Sequence, residues 1–215
     1  MKCKKLIIFS ILMFLIYPTV ILAAPPGPTE QLRTSVDKIV EILRDKSLSQ
    51  DAILSQVADL VRDKFDFRAM SQRTLGVHWK DATAKQQDRF VDLFSQLLED
   101  TYRGRIRSYT YGDEYVKYIG ERVRDGRAEV DTIIVANREI PVSYRMRLKD
   151  GKWLVYDVII EEVSLISNYR NSYAQIIRSE GFDTLLSRME DKIKELQATN
   201  QTQGAGLAMD KGIRS

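Results

Sequence analysis

Asp157, Glu161 and Glu162 are the residues of this chain whose type and position first suggest chemistry. Asp157 interrupts the apolar run Trp153-Leu154-Val155-Tyr156-Asp157-Val158-Ile159-Ile160, where an ionised carboxylate is costly unless hydrogen bonds or a cation satisfy it. Lying in a cleft, it could act as a general acid or base for a small apolar substrate. The structural reading is that Asp157 accepts hydrogen bonds from backbone or an arginine, with Glu161 and Glu162 where the strand leaves the core. The chain has one histidine, His78, beside Trp79. A metal site needs several further ligands, and none stands at ligand spacing from it; a general base needs an orienting partner that the sequence does not identify. A structural or surface placement is expected for His78. No Gly-rich phosphate loop, Gly-x-Ser-x-Gly elbow or cluster of metal ligands is present. No cofactor, metal or catalytic residue is therefore expected, and the chain does not read as an enzyme.

Charge and export narrow the classes further. Lys2, Lys4 and Lys5 precede an apolar stretch from Leu6 to Leu22, followed by Ala23-Ala24 and then Pro25-Pro26-Gly27-Pro28. A positive start, an apolar run and small residues before a turn-rich segment read as a secretory signal peptide over 1–24. The competing reading is an uncleaved anchor, since the run approaches the ~20 residues that span a bilayer. The formal net charge of the whole chain is +3, and the three lysines of the signal account for it. The remainder is formally neutral, which removes the main support for a nucleic-acid partner. Cys3 is the only cysteine and lies in the same segment, so no thiol chemistry is expected after cleavage.

The elements that must position any site follow from periodicity. Thr29 is placed to cap a helix carrying Leu32, Val36, Ile39, Val40 and Leu43; Ser49 is placed to cap a second, with Ile53, Leu54, Val57, Leu60 and Val61. Phe65-Asp66-Phe67 ends it, and a short helix over Arg68–Leu75 closes at Gly76. The longest helix is expected from about Thr83 to Tyr109, with Phe90, Leu93, Phe94, Leu97, Leu98 and Tyr102 on a broad apolar face. The period then becomes alternating over Tyr115–Val123, Arg127–Ala136, Ile140–Lys149 and Lys152–Val163, joined at Asp125-Gly126, Asn137-Arg138 and Asp150-Gly151. The fourth run is apolar on both faces and is expected inside the sheet. Helical spacing returns after Ser164, interrupted at Gly181, and a disordered tail is expected over 198–215. The fold class is α+β: a curled antiparallel sheet of about four strands, helices before and after it, forming one domain over 25–197.

The segment from Trp153 to Asp157-Val158, leading through Val163-Ser164-Leu165-Ile166-Ser167-Asn168-Tyr169-Arg170 to Gly181, Leu185 and Leu186, resembles the MlaC-type family of periplasmic lipid-binding proteins, also called the toluene-tolerance family. Phe65-Asp66-Phe67, Leu75-Gly76, Trp79, Gln86, Phe90, Phe94 and Tyr102 fit the same family in the same order. The resemblance spans roughly Leu32 to Leu196. One departure stands out: the family has Glu-Gly before Val-Ser, whereas Glu161 is followed here by Glu162, which puts the local turn in question. The resemblance implies a nuclear-transport-factor-like cone with extra helices, enclosing phospholipid tails. It also implies a periplasmic shuttle between an outer-membrane lipoprotein complex and an inner-membrane ABC transporter with its substrate-binding membrane subunit, serving outer-membrane lipid asymmetry.

A cavity for acyl chains should be apolar with few directed hydrogen bonds. The expected lining is Val142, Tyr144, Met146 and Leu148 on one strand face, Val130, Thr132 and Ile134 on another, and Phe90, Phe94 and Leu97 of the long helix; a filled core would use the same residues. Tyr144 and Met146 are expected to meet Phe90 and Phe94 across a space. The alternatives are a carrier of another lipid such as a hopanoid, an isomerase-like enzyme using Asp157, and an adaptor for membrane complexes.

Overall fold

The computed structural model describes residues 25–108 and 114–213; the expected signal peptide lies outside the described residues. Five helices precede the sheet: α1 (Pro28–Arg44), α2 (Gln50–Lys64), α3 (Phe67–Leu75), α4 (His78–Asp81) and α5 (Ala84–Ser108). Their ends are set by local polar chemistry. The Ser49 hydroxyl accepts the Ala52 amide, and Asp66 accepts the Ala69 amide at 2.9 Å. Thr83 and Gln86 bond reciprocally before α5, each side chain accepting the other's amide. α1 departs from expectation: Gly27 is its N-cap and Pro28 its first residue, with no side-chain cap. Proline suits that position because its missing N–H would have no helical partner there.

The sheet has five strands in the order β1-β2-β3-β4-β5, all pairs antiparallel: β1 (Tyr115–Arg124), β2 (Arg127–Val135), β3 (Glu139–Lys149), β4 (Lys152–Ile160) and β5 (Val163–Ser164). The single strand expected over Lys152–Val163 is corrected to two, because Glu161 (φ 49°) and Glu162 (φ 68°) turn the chain back on itself. This pair repeats the left-handed backbone of Asp125-Gly126 and Asp150-Gly151 without a glycine. β4 is interior through β5 and through a parallel bridge between Phe65 and Val155 on the same edge. One extra residue of β4 stands between the pairs Arg145–Asp157 and Met146–Val155. Such a bulge increases local twist and re-aims side chains.

Two helices follow, α6 (Leu165–Glu180) and α7 (Phe182–Ile213), separated at Gly181, whose φ of 90° is costly for other residues. The tail expected from Ala198 is corrected at its start. α7 continues through it, and Asn200 is buried with its amide donating to the Asp100 carbonyl at 3.0 Å.

Three separate apolar clusters hold these elements. The largest joins α3, α5, α6 and α7, where Phe90 meets Tyr173 edge-on at 5.9 Å and Phe94 meets Tyr169 at 5.3 Å. A second packs Leu32 of α1 onto Val130, Met146, Trp153 and Val155 of the sheet. A third joins α1 to α2 through Ile42, Ile53 and Val57.

Candidate functional site

The buried residues of the three clusters form separate groups, although Phe65 packs against two of them. Between them lies a cavity of about 450 Å³, within the ~300–1,000 Å³ typical of small-molecule sites. Its walls come from every layer: Ile39 and Leu43 of α1, Leu54, Val57 and Val61 of α2, Met70 of α3, Leu98 and Ile106 of α5, and Tyr144, Val158 and Ile160 of the sheet. Phe65 at the end of α2 and the first residues of α3 and α6, Phe67 and Leu165, complete the lining. Protein interiors ordinarily close-pack, and an empty space of this size forfeits dispersion contacts. The sequence supplies apolar residues on all sides and still leaves the space open.

Polar lining is concentrated on one side. Ser95, Glu99, Tyr102 and Arg103 recur along α5 at spacings that share a helix face, and Arg62 reaches them from the last turn of α2. Glu99 is bonded on both oxygens: Oε1 accepts from Arg103 Nη2 at 2.6 Å and Oε2 accepts from Arg62 Nη2. Arg62 also pairs with Asp59 at 3.1 Å. Deeper in, burial pushes the Tyr144 hydroxyl up to about 12, so it stays a neutral donor over the physiological range.

Of the ten residues expected to line a cavity, Tyr144 does so. Phe90, Phe94 and Leu97 pack into the α5–α6–α7 cluster, and Val130 and Met146 into the α1–sheet cluster. Val142 and Thr132 are buried, with the Thr132 hydroxyl donating to the Val142 carbonyl at 2.8 Å. Ile134 is half-buried and Leu148 exposed. The space expected between Met146 and Phe94 is therefore corrected: each is fully packed in a different cluster. α5 has an apolar arc wide enough for two surfaces, and the side bearing Leu98, Tyr102 and Ile106 is the one that meets the cavity. That width was the available signal. The contribution of α1 and α2 had none, because an amphipathic stripe reads the same against a core or a void.

The suspected chemistry resolves into structural roles. Asp157 is buried, accepting from the Ser164 hydroxyl at 2.8 Å and the Ile166 amide at 3.2 Å, with Arg145 Nη1 at 3.5 Å. It caps the start of α6 and does not line the cavity. Glu161 is held by the Arg138 guanidinium at the surface. His78 opens the four-residue α4, half-buried. No group of three or more metal-binding side chains occurs among the described residues.

A model of the MlaC protein family matches residues 33–191. The intermembrane phospholipid transport system binding protein MlaC of Haemophilus influenzae is 22% identical over 213 residues, covering 93% of this chain and 97% of its own. A solved structure, the phospholipid-binding protein from Ralstonia solanacearum in complex with a phospholipid, aligns with a TM-score of 0.71 at 24% identity, over 80% of this chain and 99% of that one. The fold is shared with that protein.

Proposed function

The chain belongs to the MlaC family, and on that premise we propose that it is a carrier of phospholipid between membranes, holding acyl chains in the cavity between its sheet and its helices. The observation that carries the reading is the cavity's lining, apolar on every wall but one. The solved relative of the same fold is in complex with a phospholipid, and the Haemophilus relative is the binding protein of an intermembrane phospholipid transport system.

The energetics explain why such a carrier is needed. At about 0.8 kcal/mol per CH₂, the ~30 of two acyl chains would cost on the order of 24 kcal/mol to expose to water. A cavity that imitates the bilayer interior leaves transfer nearly neutral, so no catalytic group is required for the exchange itself. No described helix is long and apolar enough to cross a membrane. A periplasmic location, loading and unloading at outer-membrane and inner-membrane complexes, and a role in outer-membrane lipid asymmetry complete the reading.

The test is mass spectrometry of an organic extract from the purified full chain. About one phospholipid per chain is expected. An extract without stoichiometric lipid would leave an adaptor role, and a hopanoid in its place would change the cargo.

A further inference from the structure

We propose that Arg62 and Arg103 grip the phosphodiester of the carried lipid, in the place where the Glu99 carboxylate lies. This deepens the phospholipid-carrier reading and rests on it. The apolar walls can hold acyl chains but cannot set where along the cavity they stop, because burial of hydrocarbon is non-directional. The charged groups among the lining residues are Arg62, Glu99 and Arg103, on a single side. The two guanidiniums come from different helices and converge on one carboxylate, each taking a different oxygen. The two non-bridging oxygens of a tetrahedral phosphodiester can take the places of the two carboxylate oxygens, one facing each guanidinium, and arginine binds both kinds of anion through the same forked donors.

The arrangement is also displaceable. The Arg62 side chain is 56% exposed and Arg103 29%, and ion pairs this open to water are individually weak. A phosphodiester tethered to chains inserted in the cavity has a high effective concentration beside the lining guanidiniums, so it can replace Glu99 where a free anion cannot. Charge balance bears on the headgroup as well. Arg62 and Arg103 stand with Asp59, Glu99 and Asp100, and this excess of carboxylates disfavours a headgroup that carries a net negative charge.

The experiment measures uptake by the purified, delipidated full chain from vesicles containing phosphatidylethanolamine and diacylglycerol of identical chains in equal amounts. The native protein is expected to favour the phospholipid at least about tenfold, the scale of one charge-assisted hydrogen bond. Arg62→Gln with Arg103→Gln should lower phospholipid uptake at least about tenfold more than diacylglycerol uptake, so that the preference is lost. Glu99→Gln should raise phospholipid uptake, since it removes the competing charge. Melting temperature is followed for each; should the double glutamine variant not fold, Arg62→Lys with Arg103→Lys keeps the charges, loses the forks and should weaken the preference. Equal uptake of both lipids by the native chain overturns the proposal. So does a parallel fall in both for the folded double variant, which marks a wall contact only. Millimolar inorganic phosphate should not erase the preference; erasure would reassign the site to free anions. Uptake of neither lipid by the native chain would defeat the carrier reading itself.

Discussion

The Ser164 hydroxyl donates to Oδ2 of Asp157 at 2.8 Å while accepting the Ser167 amide at 3.0 Å. One serine thus ties the carboxylate of β4 to the first turn of α6. The second carboxylate oxygen takes the Ile166 amide, so two of the amides that a helix start leaves unpaired are satisfied through this pair. An otherwise costly charge inside an apolar strand is there to dock a helix.

Asp157→Asn should accordingly damage stability. An amide offers one acceptor where the carboxylate offers two, and a lost buried bond to a charged group costs ~1.5–3 kcal/mol. Thermal denaturation should show a fall of about 2–4 °C per kcal/mol in a chain of this size. An unchanged melting temperature together with loss of turnover on a small apolar substrate would return Asp157 to the role of catalyst.

The turn at Glu161-Glu162 should respond in the opposite direction. Glu162 sits at φ 68°, a left-handed backbone that costs a residue with a Cβ about 1–2 kcal/mol. Glu162→Gly relieves this but adds freedom to the unfolded chain, so a net gain of up to ~1 kcal/mol is expected in denaturant titration. Glu161→Gly should gain less, because it also removes the partner of Arg138. A loss of stability on Glu162→Gly would mean that the carboxylate makes a contact outweighing its strain.

Filling distinguishes cavity from core. Ala58 lines the cavity, whereas Met146 is 2% exposed among Leu32, Val130, Trp153 and Val155. Ala58→Phe should keep the melting temperature within a few degrees and sharply reduce bound lipid. Met146→Trp should cost ~1–3 kcal/mol through overpacking and leave lipid stoichiometry intact in the folded fraction. Melting temperature and extracted lipid from the same sample decide between them. The reverse pattern would move the binding space to the α1–sheet cluster.

Asp100 carries a pH signature. Burial raises its carboxyl above the ordinary value of 3.8, more than the Gln197 hydrogen bond and Arg103 lower it. A carboxyl raised in the folded state binds more protons folded than unfolded. Its contribution is therefore most favourable below about pH 3.8 and declines as pH rises to the folded value, then stays constant. Asp100→Asn removes that decline. Relative to native, the variant should be more stable at pH 7 than at pH 3.5, as followed by thermal unfolding across the range. A difference that does not change with pH would show that Asp100 titrates normally.

Much of this architecture is written locally. Ser49, the Thr83–Gln86 pair, Gly76, Gly181 and the two Asp-Gly turns sit where short-range chemistry needs them, because a cap or a left-handed turn involves only neighbours in the chain. Hence the helices other than the four-residue α4, and four of the strands, were legible from periodicity and punctuation, as was the resemblance that pointed to a lipid. The Glu161-Glu162 turn was not, since its residues lack the glycine that announces such a turn, and β5 was hidden with it.

Which apolar faces touch and which stand apart is a different kind of fact. Phe94, Met146 and Leu98 are equally apolar in sequence, yet Phe94 closes on Tyr169, Met146 on Val155, and Leu98 faces a void. Hydrophobic burial rewards area removed from water without regard to partner, so periodicity specifies that a face is covered and not by what. The cavity is a remainder left between three separate groups of buried residues, and the convergence of Arg62 and Arg103 on Glu99 joins residues of two helices far apart in the chain. Only the packing of whole elements decides either one.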